Sequence, residues 1–286
     1  MKAFHHSLVL ALCIGVAGCS DDDTDPNSSF DLGPDATSDA GGDSEDPNDD
    51  GGTDLDAGDD TGADTNPDAS TNTGDCNEMN TSIDSCKDER TDVLNPIDEV
   101  TEGEVKILST DGSTLSIYVD ASAGGTMNAA SNPYVCVKLG TGERVDVTDV
   151  QAASSLDWDL AIKRTVFATN SGHWGPGVGG ALFLEGKAFD AVTAADAAGA
   201  SISQEELFDE SCNANSDGRG SPITTFGTWY DYDPNTHATP PKDGTFLVRA
   251  ADCSLFKVRI EANTATPEGG TDGMTTGRYR LSVAPL

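Results

Sequence analysis

Histidine is scarce in this chain. Only 4 of 286 residues are histidine, and with His5 and His6 in the N-terminal leader, His173 and His237 remain. None of the 7 cysteines stands in a C-x-x-C pair, so a structural zinc site or a thioredoxin-like redox pair has little to build on. There is no G-x-S-x-G elbow and no H-E-x-x-H pair, the two commonest local signatures of a serine hydrolase and a zinc peptidase. Basic residues are few as well: 16 Lys and Arg stand against 50 Asp and Glu, for a net charge of -34. Nucleic-acid phosphates would be repelled by such a chain, so nucleic acid is not an expected partner. Nor is any apolar run long enough to span a bilayer.

What is present begins with an export signal. Lys2 gives a basic start, and Ser7 to Val16 is an apolar run of signal-peptide length. Val16-Ala17-Gly18-Cys19 resembles a bacterial lipobox, in which cleavage precedes a cysteine that is then acylated. On this reading residues 1–18 are a lipoprotein signal peptide, and lipidated Cys19 anchors the chain to the membrane without a spanning helix. The alternative is an ordinary secretory signal with a chance cysteine. Ser20 follows, where an aspartate would favour inner-membrane retention, so the expected address is the outer membrane and its surface.

Residues 19–75 read as a disordered Asp/Gly/Thr-rich tether. From Ser20 to Asp75 there are 19 acidic residues and no Lys or Arg, with almost nothing to bury. "DPNDDG" at Asp46–Gly51 matches the start of an EF-hand loop, but Ala57 stands where the bidentate Glu belongs, which argues against a dedicated calcium site. Residues 76–286 carry the other 31 acids with 15 bases and are long enough for one core. With Cys13 in the leader and Cys19 lipidated, Cys76, Cys86, Cys136, Cys212 and Cys253 are the disulfide candidates of an oxidising compartment. Five is odd, so one thiol is left over. Cys76–Cys86 is the expected local staple where the tether joins the domain.

The domain reads as mainly β, a sandwich-like or barrel-like arrangement with one or two short helices. "EVKILS", "STLSIYVD", "YVCVKL" and "RVDVTDV" between Glu104 and Val150 alternate or cluster β-branched residues, and "TDG" at Thr110–Gly112 suggests a hairpin turn. "TFLVRA", "LFKVRI" and "GRYRLSVAPL" add later strands. Ala191–Asp209 suggests a helix broken by Gly199.

One stretch resists assignment: "DWDLAIKRTVFATNSGHWGPGVGG", Asp157 to Gly180. It starts as a strand, with Trp158 a large core candidate, and ends in "GPGVGG", which fits G-x-G-x-x-G. A dinucleotide cradle needs a helix next and an acid further on, yet "ALFLEGKAF" is strand-like, so nucleotide binding is rejected. The expectation is a core strand followed by a long, mobile surface loop. Asp157 and Asp159 could form a glycosidase pair but are better read as acceptors on one face of a strand. A secreted hydrolase is therefore poorly supported.

"DWDLAIKR…TNSG…GGA", followed by "WYDYDPNTHATPPKDGTFLVRAADCSLFKVRI" from Trp229 to Ile260, resembles the HmuY family of haem-binding bacterial lipoproteins. The lipobox and the β pattern agree with that likeness. Cys253 departs from it, standing where the hairpin usually has glycine, which suggests a disulfide. The resemblance implies an HmuY-like all-β domain that binds haem without catalysis for iron acquisition. Its partners would be haem or haem-carrying proteins and an outer-membrane haem transporter. Two axial side chains would hold the iron, drawn from His173, His237, Met79, Met127 and Met274. His173, beside Trp174 in the glycine-rich loop, is the first candidate, and the plain alternative is an exposed loop histidine. His237 is the second, with a turn hydrogen bond as its plain role. Trp158 and Trp229 would be core anchors, and Lys163 and Arg164 partners for the acids. The rival reading of the whole chain is a surface interaction or structural lipoprotein of HmuY-like fold without haem.

Overall fold

The computed structural model describes residues 82–286, apart from 126, 219 and 228. The expected signal peptide and tether, with Cys19, Cys76 and Met79, lie outside the described residues. Ten strands form two antiparallel sheets. The larger holds β1 (Val105–Asp111), β2 (Thr114–Asp120), β7 (Gly180–Glu185), β8 (Gly244–Arg249), β9 (Leu255–Ala262) and β10 (Arg278–Pro285), in the order β1-β2-β10-β9-β8-β7. The smaller holds β3 (Val135–Lys138), β4 (Glu143–Val145), β5 (Leu160–Lys163) and β6 (Val166–Thr169), in the order β4-β3-β5-β6.

Strand alternation sorts the side chains. In the small sheet Val135, Val137, Leu160, Ile162 and Phe167 meet Ile117, Val119, Phe246, Val258 and Leu281 of the large sheet in one core. The intervening residues of the small sheet are Cys136, Ala161 and Ala168, which join a second core with Trp158, Trp174, Leu207 and Phe208. Both faces of this sheet are therefore covered. Small residues on its outer face leave room for two indoles and for the helices above them. The outer face of the large sheet is the polar one, as the alternating burial of β9 and β10 shows.

Three short α-helices accompany the sheets: α1 (Lys87–Leu94), α2 (Asp149–Ala152) and α3 (Ala194–Ala197). α2 shortens the strand expected over Arg144–Val150, because Thr148 and Gln151 close a capping box. The helix expected over Ala191–Asp209 shrinks to α3 and a turn of 3-10 helix at Phe189–Ala191. Gly199 turns the chain away with φ of 80°, and the segment then runs alongside β7 through a bridge from Ser203 to Ala181.

The cysteine pairing differs from the local staple. Cys86 bonds Cys212, 126 residues away, so Cys76–Cys86 is excluded. The disulfide ties the start of α1 to the segment after Phe208. Cys253 is also disulfide-bonded, and its φ of 69° is the conformation that glycine usually supplies. The odd thiol is Cys136, buried and free.

Candidate functional site

The stretch that resisted assignment is scaffold. Residues 167–181 are buried without exception, which overturns the expected mobile surface loop. Asn170 is its hub. The Asn170 side-chain amide donates to the carbonyls of Ser155 and Trp158, its Oδ1 accepts from Gly177 N, and its own carbonyl accepts from Gly179 N. A Cβ on Gly175 would lie 2.1 Å from Asn170 Oδ1, and one on Gly177 would lie 2.6 Å from the Asn170 carbonyl. Gly175 thus makes room for the Asn170 and Trp158 side chains, and Gly177 for the Asn170 backbone. Gly172, at φ 53°, would meet the Glu205 carbonyl at 1.8 Å.

Glu205 closes the loop from the other side. Its fully buried carboxylate accepts from the backbone and hydroxyl of both Thr169 and Thr225. Burial pushes its pKa up against the opposing effect of those four donors. No sequence motif marked Glu205, because its partners lie 20 and 36 residues away.

The two acids flanking Trp158 separate. The strand begins only at Leu160, so they do not share a strand face. Asp157 is exposed and engages Ser155, while Asp159 is buried. Asp159 accepts from Leu139 N and Ala251 N and pairs with Lys138 at 3.0 Å. Lys138 is thus its partner, in place of Lys163 or Arg164. Lys163 donates to the Asn132 carbonyl and sits over the Tyr134 ring at 4.4 Å. Arg164, at φ 52°, turns the β5–β6 hairpin. Trp158 and Trp229 are core, each 1% exposed.

His173 lies inside this scaffold and is 9% exposed. Its backbone N–H donates to the Glu205 carbonyl, its Nε2 meets Ser85 Oγ at 3.0 Å, and its ring stands edge-on to Phe208. Nδ1 is buried without a hydrogen-bond partner among the described residues. Burial pulls its pKa below the ordinary imidazole value.

His237 is exposed, in a loop built on Asp233. Asp233 accepts from His237 N through its carbonyl and from Asn235 N and Thr236 Oγ1 through its carboxylate, which holds that carboxyl below the usual range. His237 has φ of 58°, and its Nδ1 meets Tyr232 Oη at 2.6 Å. Nε2 makes no hydrogen bond to a described residue. Three links gather the loops at this end of the sandwich: Ala121 N to Gly277 O, Arg164 N to Ala121 O, and Asn263 Nδ2 to Thr239 O. Those loops also carry Met127 and Met274, which are 93% and 82% exposed.

The sequence model of the family described as "HmuY protein" matches residues 130–279, more than half of the chain. The chain belongs to the HmuY family. The match runs from the loop before β3 into β10 and contains the Asn170 hub, both histidines and the His237 loop. Three solved structures are similar to this HmuY-family chain. One is a candidate lipoprotein of Bacteroides fragilis, 16% identical, covering 62% of this chain and 93% of its own, with a TM-score of 0.39. Another is a candidate HmuY-like haem-binding protein of Bacteroides vulgatus, 18% identical, covering 63% and 97%, with a TM-score of 0.39. The third is the apo HmuY analogue of Tannerella forsythia, 16% identical, covering 66% and 100%, with a TM-score of 0.38. No curated protein sequence matches the chain. Among the described residues no helix is long and apolar enough to cross a membrane, and no cluster of three His, Cys, Asp or Glu side chains could hold a metal ion.

Proposed function

We propose that this HmuY-family chain is a lipid-anchored outer-membrane protein that binds haem without catalysis for iron acquisition, with His237 a residue that would hold the iron. In this reading residues 1–18 direct export, acylated Cys19 anchors the chain and residues 19–75 hold the domain off the membrane. A haem-carrying protein would supply the haem and an outer-membrane transporter would receive it.

The observation that carries the reading is the His237–Tyr232 contact. An imidazole that ligates iron through one nitrogen is steadied by a hydrogen bond at the other. When Nδ1–H donates to the Tyr232 oxygen, Nε2 keeps its lone pair for the metal. The thioethers of Met127 and Met274, on loops at the same end, would be the further donors to that iron. A resident haem would supply iron and a flat apolar surface, while the chain's own part is to orient one imidazole and offer one sulfur. By contrast, His173 already has Nε2 on Ser85 and would have to leave its packing to reach a porphyrin.

The test is hemin titration of the mature chain, followed at the Soret band. Wild type should give a saturable low-spin spectrum that His237→Ala loses. Absence of hemin binding by wild type would leave the rival reading, a surface interaction lipoprotein. Retention by His237→Ala with loss in a folded His173→Ala would move the iron to the buried imidazole.

A further inference from the structure

The second core is not filled. Between α1, α2 and the outer face of the small sheet lies a cavity of about 290 Å³, at the lower edge of the range for small-molecule sites. Its deep wall consists of Trp158, Trp174, Ala161 and Cys136, and Leu94 and Val150 close it from the helices. The small outer-face residues that make room for the indoles also leave this space.

Besides exposed Lys87, two polar groups are left over there. Trp174 is 6% exposed, lines the cavity, and its Nε1 is buried without a hydrogen-bond partner among the described residues. A buried N–H with no acceptor loses its water without compensation, so such groups are seldom left without a partner. Arg90 projects from α1 onto the same cavity. Its guanidinium makes no hydrogen bond or ion pair with a described residue, and partial burial pulls its pKa down against the nearby charge of Asp84. The cavity's carboxylate, Asp149, does not compensate Arg90. Its two oxygens accept from the backbone N–H groups of Tyr134 and Ile97. An indole N–H and a guanidinium are both donors, and together they call for an acceptor carrying negative charge.

We propose that this cavity binds a small apolar monocarboxylate, its body against Trp158 and Trp174 and its carboxylate on Arg90. Flat aromatic walls suit one or two fused rings, and a volume this size excludes a tetrapyrrole. Charge-assisted hydrogen bonds to carboxylate are the strong ones, and a guanidinium presents them in pairs. The site is separate from the His237 loop and does not rest on the haem reading.

The experiment uses the mature chain, with 2-naphthoate and its uncharged analogue 2-naphthalenemethanol as probes, read by calorimetry and tryptophan fluorescence. Naphthoate should bind one-to-one, at least about tenfold more tightly than the alcohol, as expected for a charge-assisted bond. Arg90→Gln should bring naphthoate down to the level of the alcohol and leave the alcohol unchanged. Trp174→Phe keeps an aromatic wall but removes the N–H, and should weaken naphthoate several-fold with the unfolding transition still cooperative. The proposal is overturned if naphthoate shows no saturable binding, if acid and alcohol bind equally, or if Arg90→Gln leaves naphthoate binding undiminished.

Discussion

The two histidines of the described domain sit in segments built in opposite ways. The His173 segment is buried, threaded through glycines and tied by Asn170, Glu205 and a disulfide. The His237 loop is exposed and held by one aspartate and short-range hydrogen bonds. The first contains the most distinctive motif in the sequence, yet the second presents the accessible imidazole. The motif of Asp, Trp, Asn and Gly therefore reports on how the sandwich closes, and an accessible imidazole has to be sought on the loops that this closure positions.

The largest break in that contrast should come from the disulfide. Cys86–Cys212 spans 126 residues, and loop-closure entropy over such a span is worth about 5 kcal/mol. Replacing both cysteines with alanine should lower unfolding stability by that order in denaturant titration. It should also loosen the cover over His173, whose ring touches Phe208 and Ser85. A loss no larger than that of a surface substitution, about 0.5 kcal/mol, would mean that the buried segment holds itself.

Next in size is Gly177→Ala. The added methyl would meet the Asn170 carbonyl at 2.6 Å and Ala251 Cβ at 2.9 Å, and overpacking of this kind costs about 1–3 kcal/mol. Gly218→Ala, with open space around it, is the control and should stay within about 0.5 kcal/mol. Equal effects on the unfolding midpoint would show that Gly177 serves local flexibility, as its sequence context suggests.

Those glycines show where the sequence was legible and where it was not. Strands announced themselves through alternation, and β2, β3, β8, β9 and β10 fall where the apolar periodicity places them. The Thr148–Gln151 capping box lies inside a β-branched run that reads as a strand, which is why α2 was missed. α1 buries none of its residues and so has no apolar stripe to read. "GPGVGG" looked like a flexible loop because glycine suggests conformational freedom. None of Gly175, Gly177, Gly179 or Gly180 has a positive φ; Gly175 makes room for the Asn170 and Trp158 side chains, and the other three for the carbonyls of Asn170 and Ser203, none of which a glycine motif records. Glu205, Lys138 and the Cys86–Cys212 pairing were hidden for the same reason.

Acid should sharpen the comparison by a smaller amount. Burial lowers the His173 pKa, so the unfolded chain takes up a proton near pH 6.5 while the folded chain resists until lower pH. The stability contributed by the neutral ring is therefore present above about 6.5 and is lost as pH falls through the folded value. Thermal unfolding at pH 7.5 and pH 5.5 should show a smaller acid-induced drop for His173→Gln than for wild type. An identical drop would show that His173 titrates as freely in the fold as in the open chain.

The smallest stability effect belongs to His237, and its smallness is the point. The ring is exposed, and the turn is carried by Asp233 and the backbone. His237→Ala should therefore shift unfolding stability by no more than about 0.5 kcal/mol, with the Tyr232 contact its only lost hydrogen bond. The same variant should lose the low-spin hemin spectrum. A scaffold residue cannot produce that pair of outcomes, because its loss is felt first in the fold. If His237→Ala lowers stability by several kcal/mol, the loop is structural and the division between a closed motif and a ligand-bearing loop collapses.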